Sequence, residues 1–288
     1  MIIMGVLKVL TSEYFGDSFR EESGIVKRHK FTDKNGTTHE NGYYVEDGKV
    51  ETLRKLIKTL TKKRGLDCDL NDIDVSNITD MSYLFGLVKD IDKRENDVEI
   101  DFTGDISGWD VSNVTNMDSM FYFCSKFNSD ISKWDVSSVE SMVQMFSCCY
   151  SFNQSLNDWE SKTKNVKDMS FMFYMCSDFN KNLNSWNVEN VKNFSCMFSY
   201  CKEFNGEIGN WNTISARYIS SMFQGCKKFN QDISKWKTSK VQLMEDTFRD
   251  CESFNQNLSD WDVSSVTSIK RVFENCPIEE KNMPKFKL

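Results

Sequence analysis

Proline is almost missing from this chain, with two residues in 288, and that scarcity argues against long stiff linkers. Histidine is equally rare, and His29 and His39 alone, without a third ligand, make a weak metal pattern. No apolar run approaches the length that spans a bilayer. The opening MIIMGVLKVL carries Lys8 inside it, lacks a basic leader and is not followed by a small-residue cleavage site. Read as encoded, the chain is therefore cytoplasmic and suited to a reducing compartment. Positive charge is not in excess: 36 basic against 43 acidic residues give a net charge of −7. Such a balance offers no broad footprint for nucleic acid. The phosphate-cradling, zinc-protease and nucleophile-elbow motifs are also missing, and the chain reads as non-enzymatic, with no cofactor and no metal.

What the sequence has in quantity is itself. Between Trp109 and Cys276 one 25-residue unit is written seven times, as in SKFNSDISKWDVSSVESMVQMFSCC from Ser125 to Cys149. Tryptophans recur at Trp109, Trp134, Trp159, Trp186, Trp211, Trp236 and Trp261, and a cysteine column at 124, 149, 176, 201, 226, 251 and 276 keeps the same steps. A fixed period of this size marks a solenoid, in which each unit buries its apolar face only against its neighbours. Ten cysteines would suggest disulfides. Stacked equivalents about 5 Å apart, with parallel Cβ directions, do not suit a bridge, so the column reads as buried free thiols.

The spacing divides the chain into an appendage at 1–48, a capping helix at 49–69, a solenoid at 70–276 and a tail at 277–288. Ile25–Thr32 and Thr37–Val45 flank Asn35-Gly36, a strong hairpin signal. Val50, Leu53, Leu56, Ile57 and Leu60 have helical spacing ahead of Gly65. Lys89 to Glu99 is a charged insertion, expected to be a solvated loop. Within a unit, Val139, Met142, Met145, Phe146 and Cys149 form a stripe of helical period with Ser137 or Ser138 as N-cap. Phe127 to Trp134 reads as a turn with a brief strand at Ile131. The expected architecture is thus an α/β repeat solenoid, with short parallel strands on one face and short helices on the other. The asparagines that follow the FN phenylalanines are expected to satisfy neighbouring turn carbonyls.

The string FNxDIsxWDVSxVxxMxxMFxxC, carried by Phe127-Asn128, Asp130-Ile131, Trp134 to Ser137, Met142, Met145-Phe146 and Cys149, resembles the BspA-like leucine-rich repeats of the DUF285 type. That resemblance implies a curved leucine-rich-repeat-like scaffold for protein binding or adhesion, on bacterial surface proteins in many members, and it brings no catalytic residues.

Two surfaces are candidates for a partner, expected to be a host protein, a second copy or a glycan, but neither nucleic acid nor membrane. On the expected helix side, Tyr122, Phe123, Tyr150, Phe171, Tyr174, Met175 and Tyr200 gather in the early repeats, where later ones carry Arg249, Asp250, Glu252, Glu274 and Asn275. Exposed contiguous aromatics mark interaction sites, unless the appendage folds over them. On the expected strand side, Asp130, Ser132, Ser155, Asn157, Asn182, Asn184, Glu207 and Asp232 form a polar face that could meet a glycan. The alternative use of the chain is a self-assembling block joined through its aromatic face or its ends.

Overall fold

The computed structural model describes residues 26–86 and 101–286. The opening MIIMGVLKVL and the Lys89–Glu99 insertion lie outside the described residues. Two strands, β1 (Val26–Thr32) and β2 (Thr38–Val45), pair antiparallel around the expected turn. Gly36 takes φ 85° there, a conformation that costs glycine little. Helix α1 (Val50–Arg64) follows and buries Leu53, Leu56, Ile57 and Leu60. Its basic last turn, Lys62, Lys63 and Arg64, faces the negative end of its own dipole. Beyond it, β3 (Ile73–Asp74) runs parallel to β2 and joins the hairpin to the repeats.

The repeats stack into one continuous core, as their period requires. Trp109 and Trp134 lie with ring centroids 6.4 Å apart and planes within 3°. The FN phenylalanines form a column with steps of 5.7–5.9 Å from Phe127 to Phe254. A second column runs from Phe85 through Phe146 to Phe273. Each buried indole N–H donates to a carbonyl one repeat earlier, as Trp134 does to Ile106 and Trp159 to Ile131, both at 3.1 Å. A buried N–H left without an acceptor would cost on the order of 1–3 kcal/mol, so this bond permits Trp rather than Phe inside the core.

The secondary structure within the repeats differs from the expectation. No α-helix occurs in a repeat among the described residues, and Val139–Cys149 is a run of turns. The apolar stripe is buried as expected, with Val139, Met142, Met145, Phe146 and Cys149 at 0% exposure, but the backbone reaches that burial differently. Two residues per coil take left-handed φ: one column is Ser119, Gln144, Phe171, Cys196, Ser221, Asp246 and Arg271, and the other Phe123, Cys148, Met175, Tyr200, Asp250 and Asn275. A left-handed residue every fourth position breaks the helix at each turn. It aims alternate N–H groups along the stack instead, so Met117, Ser119, Phe121 and Phe123 donate to Ser141, Val143, Met145 and Ser147 of the next coil. Ser138 is correspondingly no N-cap, and its hydroxyl donates to the Ser112 carbonyl of the preceding coil at 2.6 Å.

One parallel bridge, Asp69 to Asp105, falls at the level of the expected strand, but the others fall elsewhere. They connect Asp80, Asn116, Ser141, Asp168, Asn193, Tyr218, Leu243 and Ser268, at the start of the segment read as helical, and Ile131 is buried in no strand. The polarity of the Asn column is reversed as well: Asn128 Oδ1 accepts from the Asn153 amide at 2.9 Å, and Asn153 from Asn180 at 3.0 Å. The side chains thus satisfy neighbouring N–H groups, not carbonyls. The step of 27 between Trp159 and Trp186 is absorbed by a 3-10 segment, Asn157–Thr163.

Removing one rung tests this packing. Asn180→Ala leaves the Asn205 amide, which donates to Asn180 Oδ1 at 2.8 Å, without its partner, and the urea midpoint is expected to fall by an amount equivalent to about 1 kcal/mol. An unchanged midpoint would show the column to be ornamental. The hairpin supplies a second test. Burial opposes ionisation of Asp33, but the His39 hydrogen bond and the Thr37 and Asn35 backbone bonds prevail and hold its carboxyl below the ordinary 3.8. A depressed carboxylate stabilises the fold above its unfolded value and ceases to as pH falls through its folded one. Stability is therefore expected to drop below about pH 4 by less in Asp33→Asn than in the parent, measured by urea titration at each pH.

Candidate functional site

The aromatic residues singled out in the early repeats do share one surface, built by turns and not by helices. Phe123, Cys148, Met175 and Tyr200 are successive members of the second left-handed column. Tyr122 and Tyr174 occupy the positions just before it, and Phe171 and Cys196 belong to the first column. The rings touch edge to face: Tyr122 on Phe123 at 4.6 Å, Phe171 on Tyr174 at 5.7 Å and Tyr174 on Tyr200 at 6.0 Å. Tyr150 and Tyr200 are each 37% exposed, whereas Tyr122, Phe123, Phe171, Tyr174 and Met175 are half-buried. The neighbouring rings leave the hydroxyls of Tyr122 and Tyr174 partly desolvated, and burial pushes both phenols above their ordinary 10.0.

Sequence reasoning missed two members of this surface. Tyr83 is 39% exposed and belongs to the first left-handed column. The register between Asp74–Phe85 and Asp110–Phe121 would have placed it there. Cys196, half-buried, lies in the first column, whereas Cys148 of the second is buried at 3% exposure. Farther along, the same columns turn ionic: Arg249 meets Glu274 at 2.8 Å and Arg271 meets Asp246 at 2.8 Å. One side of the solenoid thus grades from aromatic to charged.

The described appendage does not cover the aromatic face. Its contacts lie at the first coils, where the Lys34 amide donates to the Gly108 carbonyl at 2.9 Å and Lys34 pairs with Asp110 at 3.0 Å; from the capping helix, Arg54 donates to the Ser82 and Tyr83 carbonyls.

On the polar face much of the hydrogen-bonding capacity is spent internally. Asp130 and Asp232 accept from the Ser132 and Ser234 amides at 2.9 Å, closing turns. Asn157 donates to Ser155 at 3.5 Å, Asn182 accepts from the Glu207 amide at 3.0 Å, and Asn184 accepts from the Asn210 amide at 2.7 Å. Asp130, Ser155, Asn157, Asn182, Glu207 and Asp232 are exposed, and Ser132 and Asn184 half-buried.

The two histidines do not converge. His39 meets Asp33 at 2.9 Å and His29 lies 3.0 Å from Asp74. No cluster of three or more His, Cys, Asp or Glu side chains suited to a metal occurs among the described residues. No helix among them is long and apolar enough to cross a membrane.

All ten cysteines are free, and the column thiols from Cys124 to Cys251 are buried, with Cys276 half-buried at the end of the column. Cys149 and Cys176 donate to the Phe121 and Phe146 carbonyls at 3.0 and 2.9 Å, so each thiol ties its coil to the one before. Burial, reinforced by neighbouring thiols, pushes Cys149, Cys176 and Cys226 well above 9.0. Burial likewise raises Cys196 to about 11.

The family described as "Mycoplasma protein of unknown function, DUF285" matches residues 36–101, 94–204 and 167–286. Neither a curated protein nor a solved structure matches the chain.

The thiols generate a prediction with a definite sign. A thiol held protonated in the fold but titrating near 9.0 once unfolded contributes stability below about pH 9 that is lost as pH rises. The urea midpoint is expected to be level from pH 7 to 8.5 and to fall steadily above about pH 9. Over the same lower range the column cysteines should resist a thiol-modifying reagent until urea is added. Rapid labelling of Cys176 or Cys226 in the native chain would contradict this.

Proposed function

The chain belongs to the DUF285 family, whose matched segments run across the hairpin, the cap and the repeats, and we propose that it is a non-catalytic binding scaffold that docks a protein surface on its aromatic face. The observation that carries this reading is the coherence of Tyr83, Tyr122, Phe123, Tyr150, Phe171, Tyr174, Met175 and Tyr200 on one side of a rigid stack, with three of the tyrosines among the most exposed large side chains of the described residues. Tyrosine offers a large contact area at small entropic cost, and its hydroxyl tolerates water before docking. A ladder that buries nearly every Met, Phe and Trp of the repeats has no packing need for exposed rings in the same four coils.

A scaffold reading also fits the distribution of chemistry. The repeated polar groups are consumed in turns and rungs, which leaves no unique constellation of the kind a reaction requires. Kinship with BspA-like leucine-rich repeats, and with it a role in adhesion, is part of the same proposal and rests on the repeat spelling. The polar face remains the second surface to consider for a glycan, although its internal hydrogen bonds weaken that use.

Phe123→Asp and Tyr174→Glu place charge on the face without touching the core. Both variants are expected to unfold at the parent's urea midpoint within about 1 kcal/mol and to lose at least about tenfold in affinity for a protein captured and identified with the parent chain. Retained capture by both variants would remove the aromatic face from the proposal. An assembly whose mass rises with concentration and collapses in Tyr174→Glu would assign the same face to a second copy.

A further inference from the structure

The hydrogen bonds between coils have a direction. In each coil four peptide units lie along the stack, with the carbonyl toward the preceding coil and the N–H toward the next. Ser170, for example, accepts from Gln144, and Phe171 of the same peptide unit donates to Ser195. Four such columns continue to the last coil, where Ser268, Lys270, Val272 and Glu274 accept from Met244, Asp246, Phe248 and Asp250. The N–H groups of Ile269, Arg271, Phe273 and Asn275 come next, and among the described residues they meet no acceptor.

At the opposite end the stack is capped in part. The Ser82 carbonyl, which points away from the second coil, accepts from Arg54 Nη2 at 3.0 Å, and Tyr83 accepts from Arg54 Nε at 3.0 Å. A guanidinium there also suits the negative end of aligned peptide dipoles, and α1 covers the apolar layer beside it. The C-terminal tail covers only half of the last coil: Leu258 donates to the Asn282 carbonyl at 2.7 Å and Glu279 donates to Asn255 Oδ1 at 2.9 Å. Over the other half, Val266, Ile269 and Phe273 are half-buried, where their equivalents Val241, Met244 and Phe248 are at 1% exposure or less.

We propose that this donor-only edge, Ile269 to Asn275, is a docking site for an extended segment of another protein that presents carbonyl oxygens at alternate residues and an apolar side chain over Phe273. The direction of the bonds selects that occupant. Two copies meeting tail to tail would set N–H against N–H, and tail to head would require displacing Arg54 and α1 from the acceptor edge. Lys270, exposed and without an ion pair among the described residues, favours an acidic residue in the arriving segment. The mode is strand addition, made directional because every free group on the edge is a donor. This site is independent of the aromatic face, so either proposal can fail without the other.

The probe is a peptide with the sequence of residues 216–226 of this chain, whose carbonyls at Tyr218, Ser220, Met222 and Gln224 receive the corresponding four bonds within the stack. Hydrogen exchange on the full chain is expected to slow by at least about tenfold at Ile269, Arg271, Phe273 and Asn275 when the peptide saturates, while a scrambled peptide leaves them unchanged. Phe273→Glu, checked for an unaltered cooperative unfolding transition, is expected to abolish the protection. If that variant fails to fold, exchange on the parent chain decides alone. Unchanged exchange with the peptide, equal protection by the scrambled one, or protection that grows with the concentration of the chain by itself would each overturn the proposal.

Discussion

Everything in this molecule depends on peptide groups turned parallel to the stacking direction. A chain that coils must find partners for its backbone N–H and C=O groups, because buried orphans are costly. A helix would satisfy them within the coil and a sheet strand by alternating between two neighbours. Here the left-handed residues, Gln144 and Cys148 in one coil and Phe171 and Met175 in the next, set alternate peptides pointing the same way. Each such residue costs roughly 1–2 kcal/mol without a glycine, and only Gly225 among the second column avoids that cost. Four hydrogen bonds per junction, together with the stacked rings, outweigh it.

The side-chain columns follow from that backbone. Once coils repeat at a fixed offset, any side chain that can give and receive along the stack becomes a rung. Asparagine does so with its carbonyl oxygen, which accepts from the following coil, and tryptophan with its indole N–H and cysteine with its thiol, which donate to the preceding one. Where the column changes residue, the bonding changes with it. Thr247 stands in the Met column fully buried, and its hydroxyl meets the Ile219 and Met244 carbonyls at 3.1 and 2.6 Å. The substitution is tolerated because a polar group arrives with its partners.

This explains which parts of the structure were legible in the sequence. The hairpin could be read because Asn35-Gly36 has a local conformational preference that needs no context, and α1 because its stripe ends at Gly65. The period and the buried columns could be read because they depend only on which residues recur. The coil backbone could not. Val139, Met142, Met145, Phe146 and Cys149 have the spacing of a helix face, and the left-handed positions of the coils from Gln144 to Ser221 carry Gln, Cys, Phe, Met, Tyr and Ser, which signal no such conformation by themselves; only the last coils place Asp246, Asp250 and Asn275 there. The preference arises only from the stack. The aromatic residues of the early repeats nevertheless share one surface, since a column is the same column whether helix or turn presents it. Tyr83 escaped because it precedes the first complete unit.

The polarity of the backbone also bears on how such an array can be used. A sheet edge ordinarily exposes donors and acceptors in alternation, so that two identical edges can pair, and natural proteins guard against this with charge or cover. In this stack the donors collect at one end and the acceptors at the other. Arg54 and α1 over part of the acceptor end therefore oppose head-to-tail growth through these groups, and an identical donor edge has nothing to offer the one that remains. Lateral surfaces are left as the route to self-association, and there the gradient from Tyr122 and Tyr174 to the ion pairs of Arg249 and Arg271 makes the two halves unlike. A single bonding direction, fixed by residues that avoid the helix their spacing suggests, thus separates the surfaces available to a partner from those closed to the chain's own copies.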